Sequence, residues 1–300
     1  MFNASARALI VLFLHLEQME KAGVPITQSL ATARDAAEEK IISAALDGVL
    51  HEIKNGQKLH EAMTFYPKVF DETMIGLIKL GEKSGKLARV FGQCLEYVRR
   101  RDEHARMMRK ATREPKISGA VIFGLAIFKN HTALPWVAAL LAFFITLFIA
   151  ARRYILPFRY ITDRLFLTIP KLGPLVAQDS WAHFAESLAM LYEAGVDMRS
   201  GLRIAAAGIP NLIIREAAER AIPPIEAGSS LHAAFRDTKR MDKMALAMIK
   251  AGEDTGNFSQ TLRELADYYE KRTAEALTAL QQVSTPILTI ILGIVLFVTL

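Results

Sequence analysis

The chain contains itself twice. Ala22-Gly23-Val24, with Leu30 behind it, returns 172 residues later as Ala194-Gly195-Val196 with Leu202. Gly56, Leu59-His60 and Ala62 return at the same spacing as Gly228, Leu231-His232 and Ala234. One residue is then lost, and Ile78-Lys79, Gly81-Glu82 and Gly85 return as Ile249-Lys250, Gly252-Glu253 and Gly256. Tyr97, Arg101 and Pro115 follow as Tyr268, Arg272 and Pro286. Chance does not hold a register over such a length. The chain is read as two copies of one domain, each ending at a proline that opens an apolar stretch. A catalytic Ser/His/Asp or Cys/His arrangement would have to combine residues present in only one copy, and nothing in the sequence supports one. The duplication points to a scaffold and not to an enzyme.

Hydrophobic residues make up 52% of the chain beside 23% charged ones. The apolarity is concentrated in Ile117–Ala151 and Val283–Leu300. A spanning helix needs roughly 20 residues to cross about 30 Å of hydrocarbon. Lys129-Asn130-His131 interrupts the first segment, and a lysine at the bilayer centre costs on the order of 3 kcal/mol, so this tripeptide reads as a turn near an aqueous face. Eight Lys/Arg lie between Arg99 and Lys116, and Arg152, Arg153, Arg159 and Arg164 follow the segment. Both flanks therefore favour the cytoplasm, which requires an even number of crossings. The expected layout is a hairpin of residues 117–130 and 134–151, then one exit through Val283–Leu300. Its first arm, Ile117–Phe128, spans only about 18 Å; it must extend upstream through Pro115, snorkel Lys129 or thin the bilayer.

Four segments follow: a first cytoplasmic helical domain at 1–114, the hairpin at 115–151, a second cytoplasmic domain at 152–282, and a C-terminal transmembrane helix at 283–300. The net charge of +6 sits beside the apolar segments, a pattern of membrane orientation and not of nucleic-acid binding. Arg99, Arg100 and Arg101 are candidate contacts for a partner or acidic lipid, although topology alone also accounts for them. The single cysteine, Cys94, cannot form an internal disulfide and suits a reducing compartment. The apolar run Ala8–Leu14 looks like part of a signal peptide, but no small-x-small cleavage site follows it and it aligns with the start of the second copy. It reads as a first helix, which keeps the N-terminal domain in the cytoplasm.

Each copy reads as helix throughout. Leu9, Leu12, Phe13, Leu16 and Met19 share one helical face. Gly23 and Pro25 stop that helix, and Thr27 is the expected N-cap of the next. Asn55-Gly56 breaks the chain again. Asp71 opens a helix holding Met74, Leu77, Ile78 and Leu80, and Leu87 to Val98 begins a long amphipathic one. The expected fold is all-α: two duplicated bundles of about six helices each, plus three transmembrane helices.

Gly81-Glu82-Lys83-Ser84-Gly85-Lys86 fails as a phosphate loop. That loop needs four residues between its glycines, Ser or Thr after the lysine, and a preceding strand. The second copy, Gly252-Glu253-Asp254-Thr255-Gly256-Asn257, has no lysine. A tight helix–helix connection remains. Glu82 and Glu253 each carry two readings: a carboxylate that caps backbone amides or pairs with an arginine, or an acidic contact for a partner or an intermolecular metal. The seven histidines show no metal-binding spacing, and no cofactor or metal is expected.

With these residues in place, the chain resembles the inner-membrane platform proteins of type II secretion systems and type IV pili, the general secretion F/pilus C family. The features that carry the likeness are Ala22-Gly23-Val24-Pro25 with Ala194-Gly195-Val196, Gly56-Gln57-Lys58-Leu59-His60-Glu61-Ala62, then Phe65, Pro67 and Phe70. Gly81-Glu82-Lys83-Ser84-Gly85 and its counterpart Gly252-Glu253-Asp254-Thr255-Gly256 complete them. The second copy departs from the Phe-x-Pro element, and the N-terminal extension of longer members is missing, as in type IVb or conjugative thin-pilus members. The resemblance implies a homo-oligomer in the bacterial inner membrane. Its partners would be a cytoplasmic assembly ATPase, pilin or pseudopilin, and other inner-membrane assembly proteins. An alternative is a membrane receptor or adaptor that binds cytoplasmic partners with no pilus involved.

Overall fold

The duplication is visible helix by helix. In the computed structural model, which describes residues 4–129, 146–148, 150, 152, 156–170 and 172–299, the first copy begins with α1 (Ala6–Lys21), α2 (Ile26–Asp35) and α3 (Lys40–Lys54). α4 (Leu59–Thr64), α5 (Glu72–Ser84) and the long α6 (Leu87–Lys129) complete it. After α7 (Leu156–Thr168) the second copy repeats this order as α8 (Leu172–Ala194), α9 (Met198–Ala207), α10 (Leu212–Glu226), α11 (Leu231–Asp237), α12 (Lys243–Thr255) and α13 (Phe258–Thr299). No strand occurs among the described residues.

The breaks fall where the sequence places them, with one correction. α1 ends at Lys21, and Gly23 follows in the left-handed region at φ +74°, as Gly195 does at +95° after α8. Thr27, however, does not cap α2. The helix starts two residues earlier, and Pro25 takes the N-cap position with its carbonyl accepting from Gln28 and Ser29 at 2.9 and 3.0 Å. A proline ring fixes φ without needing a donor there, so Thr27 is drawn into the first turn. The second copy caps in the expected way: Asp197 accepts from the Ser200 amide at 3.0 Å, which holds its carboxyl below its ordinary pKa. Pro115 and Pro286 lie inside continuous helices, since α6 and α13 run through them to Lys129 and Thr299.

Helices of both copies share one compact unit, which runs from the N-terminal end to His104 and includes Trp181–Pro210 and Arg215–Tyr268. Its first-copy core is closed by Phe13, Leu16, Leu46, Met63, Phe70 and Phe91, each fully buried. Cys94 lies in that core as a small apolar group, its thiol pKa pushed up by burial. The second copy stacks Trp181, Phe184 and Phe235 edge to face at 5.5–6.0 Å between centroids. This geometry suits the ring quadrupoles. The Trp181 indole N–H is satisfied by the Arg240 carbonyl at 3.0 Å.

A second unit comprises Ala105–Ser180, Asn211–Ile214 and Tyr269–Leu300. Its buried anchor is Asp163 on α7. That side chain is wholly inaccessible, accepts from Arg152 at 2.7 Å and lies 3.9 Å from Arg159. It also accepts from the Leu212 amide at 3.0 Å, capping the start of α10. Removing the arginines would strand the buried Asp163 carboxylate, whereas the arginines themselves keep access to solvent.

No helix of the described residues is long and apolar enough to cross a membrane. The expected turn at Asn130 and nearly all of the second hairpin arm, 134–151, lie outside the described residues.

Candidate functional site

The repeated Gly-Glu-x-x-Gly element is the most regular construction in the molecule. It lies at the C-terminal end of α5 in the first copy and of α12 in the second, and it ties three helices together. Each of its three fixed residues has a separate task.

The first glycine is a point of close approach. A Cβ added at Gly81 would lie 3.0 Å from Val90 Cγ2 and 3.1 Å from Leu87 Cδ2, both on α6. At Gly252 the added atom would meet Thr261 on α13 at 2.5–2.7 Å. The last glycine is a helix stop. Gly85 and Gly256 have φ of +67° and +70°, a conformation that costs any residue with a Cβ roughly 1–2 kcal/mol. The Gly85 and Lys86 amides both return to the Gly81 carbonyl, which satisfies this orphaned acceptor of the last turn.

The glutamate reaches the third helix. Glu82 accepts from the backbone amides of Leu59 at 2.6 Å and His60 at 3.1 Å, so its two oxygens cover the first two amides of α4. The His60 ring contacts the same carboxylate through Nδ1. Glu253 repeats this on Leu231 and His232, the latter at 3.1 Å. A carboxylate at a helix N-terminus is favoured by the dipole and by charge-assisted hydrogen bonds. Of the two readings open for these glutamates, the geometry builds the cap. The donors sit 22 to 23 residues upstream in the first copy, a separation that no local pattern announces.

A second paired element locks the start of the same helix. Asp71 caps α5 by accepting from the Met74 amide at 3.0 Å, while its other oxygen accepts from the Tyr97 hydroxyl at 3.0 Å. Asp242 takes the same two partners in the second copy, the Ala245 amide at 3.0 Å and the Tyr268 hydroxyl at 3.1 Å, both on Oδ1. Burial and the nearby Asp71 carboxylate raise the Tyr97 phenol well above its ordinary range. Arg101 also binds Asp71, so one of the three candidate contact arginines serves the fold. Arg100 pairs with Glu96 one turn away at 3.1 Å, and Arg99 is exposed. In the second copy Arg272 leaves this arrangement and pairs with Glu275 at 3.3 Å.

The structure therefore brings Gly81, Glu82 and Gly85 together in one clip, and Gly252, Glu253 and Gly256 in another. Gly23, Gly195 and Arg99 belong to neither. Sequence reasoning passed over Asp163, although an acid four residues after Arg159 is a readable helical ion-pair spacing. It also passed over the Asp71–Tyr97 and Asp242–Tyr268 pairs, whose members both recur. Among the described residues no group of three His, Cys, Asp or Glu side chains is disposed to hold a metal ion.

The family described as Type II secretion system (T2SS), protein F matches residues 16–128 and again 184–300, which are the two copies. Type IV pilus assembly protein TapC of Aeromonas hydrophila is 23% identical over 92% of this chain and 75% of its own length. Type IV pilus assembly protein PilC of Thermus thermophilus is 25% identical over 93% and 77%. Type II secretion system protein F of Pseudomonas aeruginosa is 26% identical over 98% and 80%. With that family matched over both stretches, well over half of the chain, the chain belongs to the type II secretion system protein F family.

Proposed function

We propose that this chain is a platform protein of the bacterial inner membrane. It couples a cytoplasmic assembly ATPase to the extraction of pilin or pseudopilin subunits and to fibre growth, and it has no enzymatic step of its own. The observation that carries this reading is the family match to both copies, together with relatives named for pilus assembly and for type II secretion. The architecture gives the coupling a physical route. α6 and α13 are single helices of 43 and 42 residues. Each begins in a clip and runs without interruption into one of the apolar segments. A displacement imposed on a bundle is passed along a continuous helix, with Pro115 and Pro286, which lack the N–H of the hydrogen-bond ladder, as the points where each helix would bend. The basic flanks orient both bundles towards the cytoplasm, where an ATPase would reach them. Val283–Thr299 covers about 26 Å as helix, close to the hydrocarbon thickness.

The test is co-sedimentation of the host's purified assembly ATPase with inverted inner-membrane vesicles. Vesicles carrying the chain should pellet the ATPase, and vesicles from a strain lacking it should not. Equal recovery from both would remove the coupling role.

A further inference from the structure

Within the shared compact unit the two copies do not meet through equivalent surfaces. The first copy contributes α5, with His104 of α6 set edge to face against His183 at 5.8 Å, and the second contributes α8 and α9. Thr73 Oγ1 donates to Ser187 Oγ at 3.1 Å, and both residues are buried. Gly76 lies against the side chains of Ile204 and Leu191 so closely that an added Cβ would sit 2.8 and 3.3 Å from them. Leu80, Leu191 and Ile204 pack on the first copy's core.

A contact between unlike faces of two like domains leaves one face of each kind unused. The structure exposes both. On α12 the counterparts of Thr73, Gly76 and Leu80 are Met244, Ala247 and Ala251, and all three are exposed, Met244 by 58%. They form an apolar i, i+3, i+7 stripe where the same stripe of α5 is covered. On α1 the counterparts of His183 and Glu186 are Val11 and Leu14, exposed by 58% and 36%. His15 stands where Ser187 does, and its buried Nε2 has no hydrogen-bond partner. Thr32, the counterpart of Ile204, is exposed.

We propose that these two faces bind each other between chains: α12 of one molecule seats on α1 and α2 of a second copy, repeating the contact that α5 makes with α8 and α9 inside the chain. The occupant is argued from the chain itself, since the complement of each open face is already present and already used once. Val11 and Leu14 replace His183, which faces His104 of α6 at 5.8 Å, and Glu186, so the rim of this open face is more apolar than its internal counterpart, which suits a contact formed by association. Such an interface is heterologous; repeated, it closes into a ring or continues as a helical array. The contact stands or falls separately from the platform role.

Cysteine pairs test it in membranes co-expressing two differently tagged full-length chains. The lone native thiol of Cys94 is buried and stays silent. Thr32→Cys in one chain and Ala247→Cys in the other should give, on mild oxidation, a product bearing both tags that reductant dissolves. His15→Cys with Met244→Cys is an independent pair, so misfolding of one variant leaves the other informative. Thr73→Cys with Ser187→Cys in one chain should close internally and reports that oxidation works. Cross-links only between identical positions would indicate an isologous dimer and overturn the proposal. Absence of both mixed products while the internal control forms would overturn it as well.

Discussion

Replacing Glu82 with alanine should lower the stability of the folded chain by about 3 kcal/mol, because it removes two charge-assisted hydrogen bonds worth roughly 1.5–3 kcal/mol each when partly buried. The loss falls on a weak element. α4 is six residues long, far below the length at which a helix persists unaided, so it depends on this carboxylate to cover its first amides. The Leu59 and His60 donors would be left to whatever water can enter, since the Glu82 side chain is only 20% exposed. For a chain of this size such a loss corresponds to a fall in Tm of roughly 6–12 °C, read by circular dichroism at the helical minimum in detergent solution. Glu253→Ala should show a fall of similar size. Glu82→Gln, which keeps the shape and one strong acceptor, should recover part of the stability. If Glu82→Ala left Tm unchanged while abolishing fibre assembly, the carboxylate would be a partner contact and the cap incidental.

The two first glycines of the clips should respond unequally to one methyl group. Gly252→Ala forces its Cβ to within 2.5–2.7 Å of Thr261, a separation that side chains do not tolerate, so α12 and α13 must shift apart. Overpacking of this kind costs about 1–3 kcal/mol. Gly81→Ala meets Val90 and Leu87 at 3.0–3.1 Å, Val90 Cβ among the atoms met, where a give of a few tenths of an ångström between α5 and α6 suffices. Removing a glycine from a helix also returns about 0.5–1 kcal/mol. The result should be near neutrality for Gly81→Ala and a loss of about 2 kcal/mol for Gly252→Ala. Valine at either position should be worse, with Gly252→Val again the larger loss. Thermal melts of the four variants check the order; equal losses at the two positions would mean that α12 approaches α13 no more closely than α5 approaches α6.

Much of the fold is written in the spacing of the sequence. The paired glycines mark the same three helix ends in both copies, and all six have positive φ, so the two copies can be laid over each other from the residue order alone. Asp71 is readable as a helix start because capping is a local matter. The partners of Glu82 are not, because Leu59 is distant along the chain and only the packing of α4 on α5 brings it near. Thr27 misleads for the opposite reason: a residue with the right chemistry sits two places beyond a proline that already has the right backbone. The unlike faces through which the copies meet are invisible in the repeat, since the sequence similarity that reveals two domains says nothing of how one packs on the other.

The most direct test of the platform role is a clean deletion of the chain's coding sequence with plasmid complementation, scored by electron microscopy for surface pili and in parallel for secreted proteins. That role predicts loss of pili, of secretion, or of both, restored by the plasmid. A deletion strain that retains both would contradict it.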